Sequence, residues 1–272
     1  MKNFKFIKMH GLGNDFVIID HSKNSLELPQ IEILKKIGSR RFGIGCDQIL
    51  FINSDSQSNA KVTIFNNDGS EVGACGNGVR CVASYLMKKQ NKNKIKIETI
   101  SGILQCWIED NNCFVNMGKP SFKWSEIPLA KEFETQIIKI DNYDLFCLSM
   151  GNPHAVIFFK NLKELDKIDI ETLGKKIQDI EIFPESVNVE FATILEDNSI
   201  RMKVWERGAG RTLACGSGAC ATLVAANKQE LSLRKNDIIL DGGKLTINWL
   251  ENDDVVMSGE VNLVFKGKFY FD

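Results

Sequence analysis

The constraint that most limits what this chain can fold into is a motif written twice: Ala-Cys-Gly-x-Gly occurs as "ACGNG" at 74–78 and "ACGSG" at 214–218, 140 residues apart in a chain of 272. Each copy leads into an apolar stretch. After Asn77, Val79, Val82, Ala83 and Leu86 recur at helical spacing, and Tyr85 and Met87 carry the apolar surface round most of the circumference. After Ser217, "GACATLVAAN" has no polar face beyond Thr222. A helix that is apolar all round is a buried one, so each lobe is expected to wrap strands around a central helix. Asn77 and Ser217 are N-cap residue types, which puts Cys75 and Cys215 at the positive ends of the two helices.

The rest of the chain fits a duplicated α/β (α+β) plan. Short apolar or alternating runs predict strands at 4–9, 16–20, 48–52, 61–66, 94–99, 103–108 and 113–117 in the first half. In the second half they predict strands at 137–140, 145–149, 155–159, 187–194, 200–205, 238–240, 244–249, 255–257 and 261–265. Further helices fit 31–39 and 170–180. The turn-rich "NMGKPSF" at 116–122 is the best boundary between the lobes.

A thiol at a helix N-terminus is expected to have a lowered pKa, because the dipole and the free N–H groups favour thiolate. Small glycines beside it let backbone N–H groups approach an anion, so the same helix end can hold a carboxylate. Two such ends converging on one carboxylate would present one sulfur to each side of its α-carbon. One thiolate could then remove the α-proton while the opposite thiol returns a proton to the other face. Because these roles exchange in the reverse reaction, a stereocentre-inverting enzyme needs two equivalent residues, which gives the repeat a reason. Taken singly, each motif reads first as a tight helix–strand packing device.

Bulk properties exclude several classes. Thirty-four basic and 35 acidic residues give a net charge of −1, without the basic excess of a nucleic-acid binder. The uncharged run at 212–227 is too short for a bilayer, which takes about 20 residues, and the N-terminus lacks the apolar core of a signal peptide, so a cytoplasmic location with no membrane partner is expected. The eight cysteines contain no C-x2-C pair and only three histidines accompany them, so no metal site is expected, and most thiols should be small core hydrophobes.

Six segments carry a resemblance: "MHGLGNDF" at 9–16, "GIGCDQ" at 43–48, "FNNDGSEVGACGNGVRC" at 65–81, "GNPH" at 151–154, "FPESVNVEF" at 183–191 and "WERGAGRTLACGSGACA" at 205–221. In content and order the sequence resembles the diaminopimelate epimerase family along most of its length. The resemblance implies a pseudo-symmetric two-lobe fold, no cofactor, a two-cysteine acid–base mechanism and conversion of LL-2,6-diaminopimelate to the meso form, on the route to lysine and peptidoglycan. By the same resemblance Cys75 and Cys215 are the acid/base thiols, and Gly76, Asn77, Gly216 and Ser217 cradle the reacting carboxylate. Asn14, Gln48, Asn66, Asn152, Asn188 and Arg207 line the pocket and read the distal end, where an arginine fork suits a carboxylate. His154 and Glu206 tune the thiols and steady the substrate ammonium. The final segment "FKGKFYF" resembles one that packs back on the first lobe and supports a homodimer, with Phe265 at an aromatic position. The expected lobes are then 1–117 with 263–272, carrying Cys75, and 118–262, carrying Cys215.

Other readings of the same residues stay open. Asn14 and Asn66 stand in turn-like contexts where asparagine serves the backbone. His154 could be a surface histidine and Glu206-Arg207 a solvated pair. Arg211 either lowers the Cys215 pKa or faces solvent, and Cys46 is either a third reactive thiol or a packing residue. A two-thiol proline racemase or hydroxyproline epimerase is the nearest alternative, although a small monocarboxylate needs no distal clamp. A redox protein with a reversible Cys75–Cys215 disulfide is the alternative from another class.

Overall fold

The computed structural model describes residues 2–22, 28–54, 58–73, 75–110 and 112–271, so Ala74 of the first motif lies outside the described residues. The chain divides into two compact units, Met1–Val115 with Gly259–Asp272, and Asn116–Ser258. The first begins with β1 (Lys2–Gly11), β2 (Asn14–Asp20), α1 (Ile31–Gly38), β3 (Gln48–Asn53), β4 (Ala60–Asn66) and β5 (Glu71–Val72). It continues through α2 (Gly76–Gln90), β6 (Lys94–Thr99), β7 (Gly102–Glu109) and β8 (Asn112–Asn116). The second holds β9 (Ile138–Ile140), β10 (Tyr143–Ser149), β11 (Pro153–Phe158), α3 (Leu162–Lys167), α4 (Ile170–Gln178) and β12 (Asn188–Ile194). There follow β13 (Ile200–Glu206), β14 (Gly210–Arg211), α5 (Gly216–Lys228), β15 (Lys235–Leu240), β16 (Gly243–Trp249) and β17 (Val255–Gly259). Last, β18 (Asn262–Phe271) returns to the first unit.

The two units repeat one topology. In the first, β1–β2 is antiparallel, β2–β3 parallel, β3–β4 antiparallel, β4–β6 parallel and β6–β7 antiparallel. In the second, β10–β11, β11–β12, β12–β13, β13–β15 and β15–β16 follow the same order of directions. The registers also correspond. Phe16 opposite Gln48 matches His154 opposite Asn188, Leu50 opposite Ile64 matches Glu190 opposite Val204, and Phe65 opposite Glu71 matches Trp205 opposite Arg211. The pseudo-symmetric α/β plan expected from the repeated motif is the observed one.

Strands covered on both faces explain why their sequences read as near-continuous apolar runs. Val17, Ile19, Ile49 and Phe51 pack on one face with Leu34 and Ile37 of α1, while Val189 and Phe191 pack with Leu165, Ile170 and Ile177. The alternate residues turn to the central helices. A Cβ placed on Gly78 of α2 would lie 2.9 Å from Leu50 Cδ2, and one on Gly218 of α5 would lie 2.6 Å from Glu190 Oε1. The side-chain period of two along β3 and β12 therefore decides what each helix start meets.

Several elements differ from expectation. The last strand, expected at 261–265, runs on to Phe271 because β1 offers it a partner from His10 opposite Asn262 to Lys2 opposite Phe271. The two-residue strands β5 and β14 and the six-residue α3 were not anticipated, being too short for any periodicity to register.

Candidate active site

Cys75 and Cys215 are themselves the N-caps of α2 and α5, each sulfur accepting from the N–H three residues on, Gly78 or Gly218, at 3.4 Å. This corrects the expectation that Asn77 and Ser217 are the caps: both lie inside the first turn, because the extended backbone of each cysteine turns its sulfur to the capping position. The first i→i−4 bonds are Val79 N–H to Cys75 C=O and Ala219 N–H to Cys215 C=O. The N–H groups of Gly76, Asn77, Gly216 and Ser217 precede them in the first turns of the two helices. Each cysteine thus shares its helix end with a backbone donor set suited to a carboxylate.

Around Cys75 stand the side-chain amides of Asn14 and Asn77, with those of Gln48 and Asn66 paired on β3 and β4. Asn14 Oδ1 lies 3.8 Å from the sulfur and accepts from Asn77 Nδ2 at 3.4 Å. Gln48 Nε2 donates to Asn66 Oδ1 at 3.1 Å, and Asn66 Nδ2 donates to Ser70 Oγ at 3.1 Å. Asn14 is steadied by Asp47, which accepts its amide at 2.9 Å, while Arg40 pairs with both Asp15 and Asp47 at 2.7 Å. Burial acts to raise the Asp15 carboxyl, but hydrogen bonds from Arg40 and Lys8 outweigh it and hold it at about 2. Beneath the helix start, Arg80 is fully buried and donates to Asn77 Oδ1 at 2.8 Å.

Around Cys215 the side chains are ionisable. His154 and Glu190 are fully buried, with Nδ1 of the imidazole 2.7 Å from Glu190 Oε1 and Nε2 3.0 Å from Asn152 Oδ1. Asn152 Nδ2 donates to Ser217 Oγ at 3.3 Å, and that hydroxyl lies 3.6 Å from the Cys215 sulfur. Thr212 Oγ1 donates to Glu206, which also accepts from Cys215; burial is nevertheless the dominant influence and raises the Glu206 carboxyl. Burial likewise pushes the Cys215 thiol well above its ordinary range, reinforced by the negative charges of Glu206 and Glu190. The lowered pKa expected from the helix end does not hold for Cys215. A helix end supplies about 0.3–1 kcal/mol, less than the roughly 1.4 kcal/mol that one pKa unit represents, whereas burial and like charge can move a group by several units.

The remaining expected residues fall in varied places. Asn188 Oδ1 accepts from the Arg207 N–H at 2.9 Å while its Nδ2 donates to Pro153 C=O at 2.9 Å. Arg207 is exposed, with one guanidinium nitrogen donating to Glu185 C=O at 3.2 Å. Arg211 faces solvent and pairs with Asp241 at 3.0 Å, which settles its two readings in favour of the surface. Cys46 is fully buried and its thiol is pushed up to about 12 by burial, so it is a packing residue. Phe265 is exposed on β18, its ring edge-on to Phe6 at 5.7 Å. Sequence reasoning missed Glu190, Asp47 and Arg80. Glu190 alone carried a signal, as a charge inside a strand otherwise apolar on both faces.

Comparison with known proteins bears on this pair of thiols. The family model described as diaminopimelate epimerase matches residues 6–123 and 146–264. A diaminopimelate epimerase of Acidiphilium cryptum is 43% identical over 267 residues, covering 97% of this chain and 95% of that protein. One of Carboxydothermus hydrogenoformans is 42% identical over 275 residues, covering 98% and 99%. Among solved structures, a phenazine biosynthesis protein of the PhzF family from Bacillus anthracis superposes with a TM-score of 0.71 at 16% identity, covering 100% of both chains, a likeness of fold alone. The model match and these identities extend over both cysteine-capped helices, and the chain belongs to the diaminopimelate epimerase family.

Proposed function

We propose that this enzyme converts LL-2,6-diaminopimelate to meso-diaminopimelate without a cofactor, using Cys75 and Cys215 as its acid/base pair. The observation that carries this reading is the twin placement of the two thiols as N-caps of corresponding helices in a duplicated fold. One thiolate takes the α-proton, the electron pair stays on the substrate next to its carboxylate, and the other thiol delivers its proton to the opposite face. The enzyme is left with the thiol and thiolate exchanged. The N–H groups of Gly76, Asn77, Gly216 and Ser217 hold the reacting carboxylate as negative charge spreads into it. Asn14, Gln48, Asn66, Asn152, Asn188 and Arg207 read the distal end. Gln48 Oε1, buried and without a protein partner among the described residues, is an acceptor suited to an ammonium group. Glu206 and His154 tune Cys215.

The enzyme acts in the cytoplasm as a homodimer in this reading, with the exposed Leu263, Val264, Phe265 and Tyr270 of β18 as the apolar contact surface. No helix among the described residues is long and apolar enough to cross a membrane. The test is proton NMR of LL-diaminopimelate with reduced protein in deuterated water. Loss of the α-proton signal with appearance of the meso isomer, abolished in both cysteine variants, is the expected result. No exchange with folded, reduced protein would overturn the substrate, and proline and hydroxyproline would be tried next. Sedimentation of the wild type and of Phe265→Glu tests the dimer.

A further inference from the structure

Glu190 is a fully buried carboxylate in β12, flanked by Val189 and Phe191. Such a group is costly to keep in a core unless it is hydrogen-bonded and electrostatically matched. Its place in the fold matters: Glu190 Oε1 would lie 2.6 Å, and the Cys215 sulfur 3.2 Å, from a Cβ on Gly218, so carboxylate and sulfur flank the same point of the first turn of α5.

The hydrogen bonds around it have a determined direction. Asn152 gives its Nδ2 to Ser217 Oγ, so its Oδ1 faces His154 Nε2 and can only accept; Nε2 therefore carries a hydrogen. Nδ1 faces Glu190 Oε1 at 2.7 Å, so the carboxyl is the end of this pair that lies against Gly218. Ser217 Oγ accepts from Asn152 and so can turn its own hydrogen to the Cys215 sulfur 3.6 Å away. Glu190, His154, Asn152 and Ser217 form a continuous line from a buried carboxylate to the thiol.

The ionisable groups that the neighbouring strands bring to this helix start are few, and α5 itself adds the buried Cys220. β11 contributes His154, β12 Glu190 and β13 Glu206, and β10 contributes the buried Cys147 thiol, on which Glu190 also acts. The strands packed on α5 from the other side, β15 and β16, present Ile238, Leu240, Leu245 and Ile247 as buried side chains. The first unit has none of these charges at the corresponding places: Phe16 stands for His154, Leu50 for Glu190 and Asn66 for Glu206.

We propose that Glu190 is a positioning residue for Cys215: anchored by His154 against the first turn of α5, its negative charge keeps the proton of the free enzyme on Cys215. This rests on the two-thiol reading above, which needs one thiol and one thiolate before substrate arrives. Cys75, with Phe16, Leu50 and Asn66 at the equivalent positions, then supplies the resting thiolate.

The test is the rate of iodoacetamide modification of each cysteine as a function of pH, read by peptide mapping in the wild type, Glu190→Gln and Glu190→Leu. Glutamine can still donate to His154 Nδ1, so it keeps the line of hydrogen bonds while removing the carboxylate and the proton shared across the Nδ1–Oε1 contact. Leucine is the residue the first unit carries at this place. The pH midpoint for Cys215 is expected to fall by about one unit or more in both variants, with that of Cys75 unmoved. The high-pH limb of kcat/KM should fall with it, as a merely structural role would not cause. An unmoved Cys215 midpoint in folded variants, or a shift at Cys75 instead, overturns the proposal. Labelling needs no substrate, so a wild type that fails to epimerise while Cys215 shifts would sink the assigned reaction and leave the charge assignment standing.

Discussion

The two helix starts of this molecule share a backbone and differ in everything ionisable around it. At α2 the cap is Cys75, the corresponding strand positions hold Phe16, Leu50 and Asn66, and the buried Arg80 of the same helix donates to Asn77 Oδ1. At α5 the cap is Cys215, the same places hold His154, Glu190 and Glu206, and Cys220 stands where Arg80 does. The two thiols share a cap geometry, and only Cys215 has acidic side chains at these strand positions. Because the helix ends are alike, the strands and not the helix dipole set the difference, and a duplicated fold can hold two corresponding cysteine caps in unlike surroundings.

The largest effect should come from removing either sulfur. Cys75→Ala and Cys215→Ala are each expected to lower epimerisation by at least about 10²- to 10⁴-fold, the range for a lost general acid or base. The comparison breaks if one variant retains near-normal turnover measured from either stereoisomer, since the unequal fields would then accompany unequal roles.

Next in size is a pair of glycine substitutions that senses the two environments directly. Gly218→Ala sets a methyl against the fixed, buried Glu190, whereas Gly78→Ala meets Leu50 Cδ2 at 2.9 Å, the far end of a side chain that can turn. Overpacking costs about 1–3 kcal/mol, and Gly218→Ala should lie at the upper end and Gly78→Ala at or below the lower. Thermal unfolding of both variants checks the order, and equal losses would mean that Glu190 yields as easily as a leucine.

How much of this was legible beforehand follows the range of the interactions. The helix-end position of both cysteines, the buried central helices and the duplication are local patterns, and the motif and its periodicity carry them. The charge state of Cys215 is not local: it depends on Glu190 and Glu206 reaching it from two other strands, and no spacing rule joins those positions. In "NVEFATI" a period of two assigns Val189 and Phe191 to one face and Glu190 to the other, but which face meets a helix start is a tertiary fact. Arg211 was undecidable for the same reason, its partner Asp241 lying thirty residues onward.

A smaller effect concerns stability against pH. The folded protein raises the Glu206 carboxyl above its ordinary value of 4.5, so it binds that proton more tightly than the unfolded chain does. Stability from this group is present below about 4.5 and declines as pH rises through the folded value. Glu206→Gln, neutral like Asn66 in the first unit, removes that decline. Its Tm should match the wild type near pH 4 and exceed it by about a few degrees at pH 8, even as activity falls. A Tm gap independent of pH would show that the carboxyl is not held protonated by burial.

The smallest expected effect sharpens the boundary of the Cys215 field. Arg211 is a cation four residues before the thiol in sequence, yet its guanidinium is mostly exposed and bound to Asp241, which Arg201 also holds. An exposed ion pair of this kind contributes about 0–1 kcal/mol, and its charge is screened by solvent. Arg211→Ala should therefore leave the Cys215 labelling midpoint and both limbs of kcat/KM in place and change stability by less than about 0.5 kcal/mol. A downward shift of the Cys215 midpoint would have the wrong sign for a lost cation and would point to movement of α5. An upward shift would mean that Arg211 offsets part of the Glu190 and Glu206 charge, so that the field at α5 is set by surface as well as buried groups.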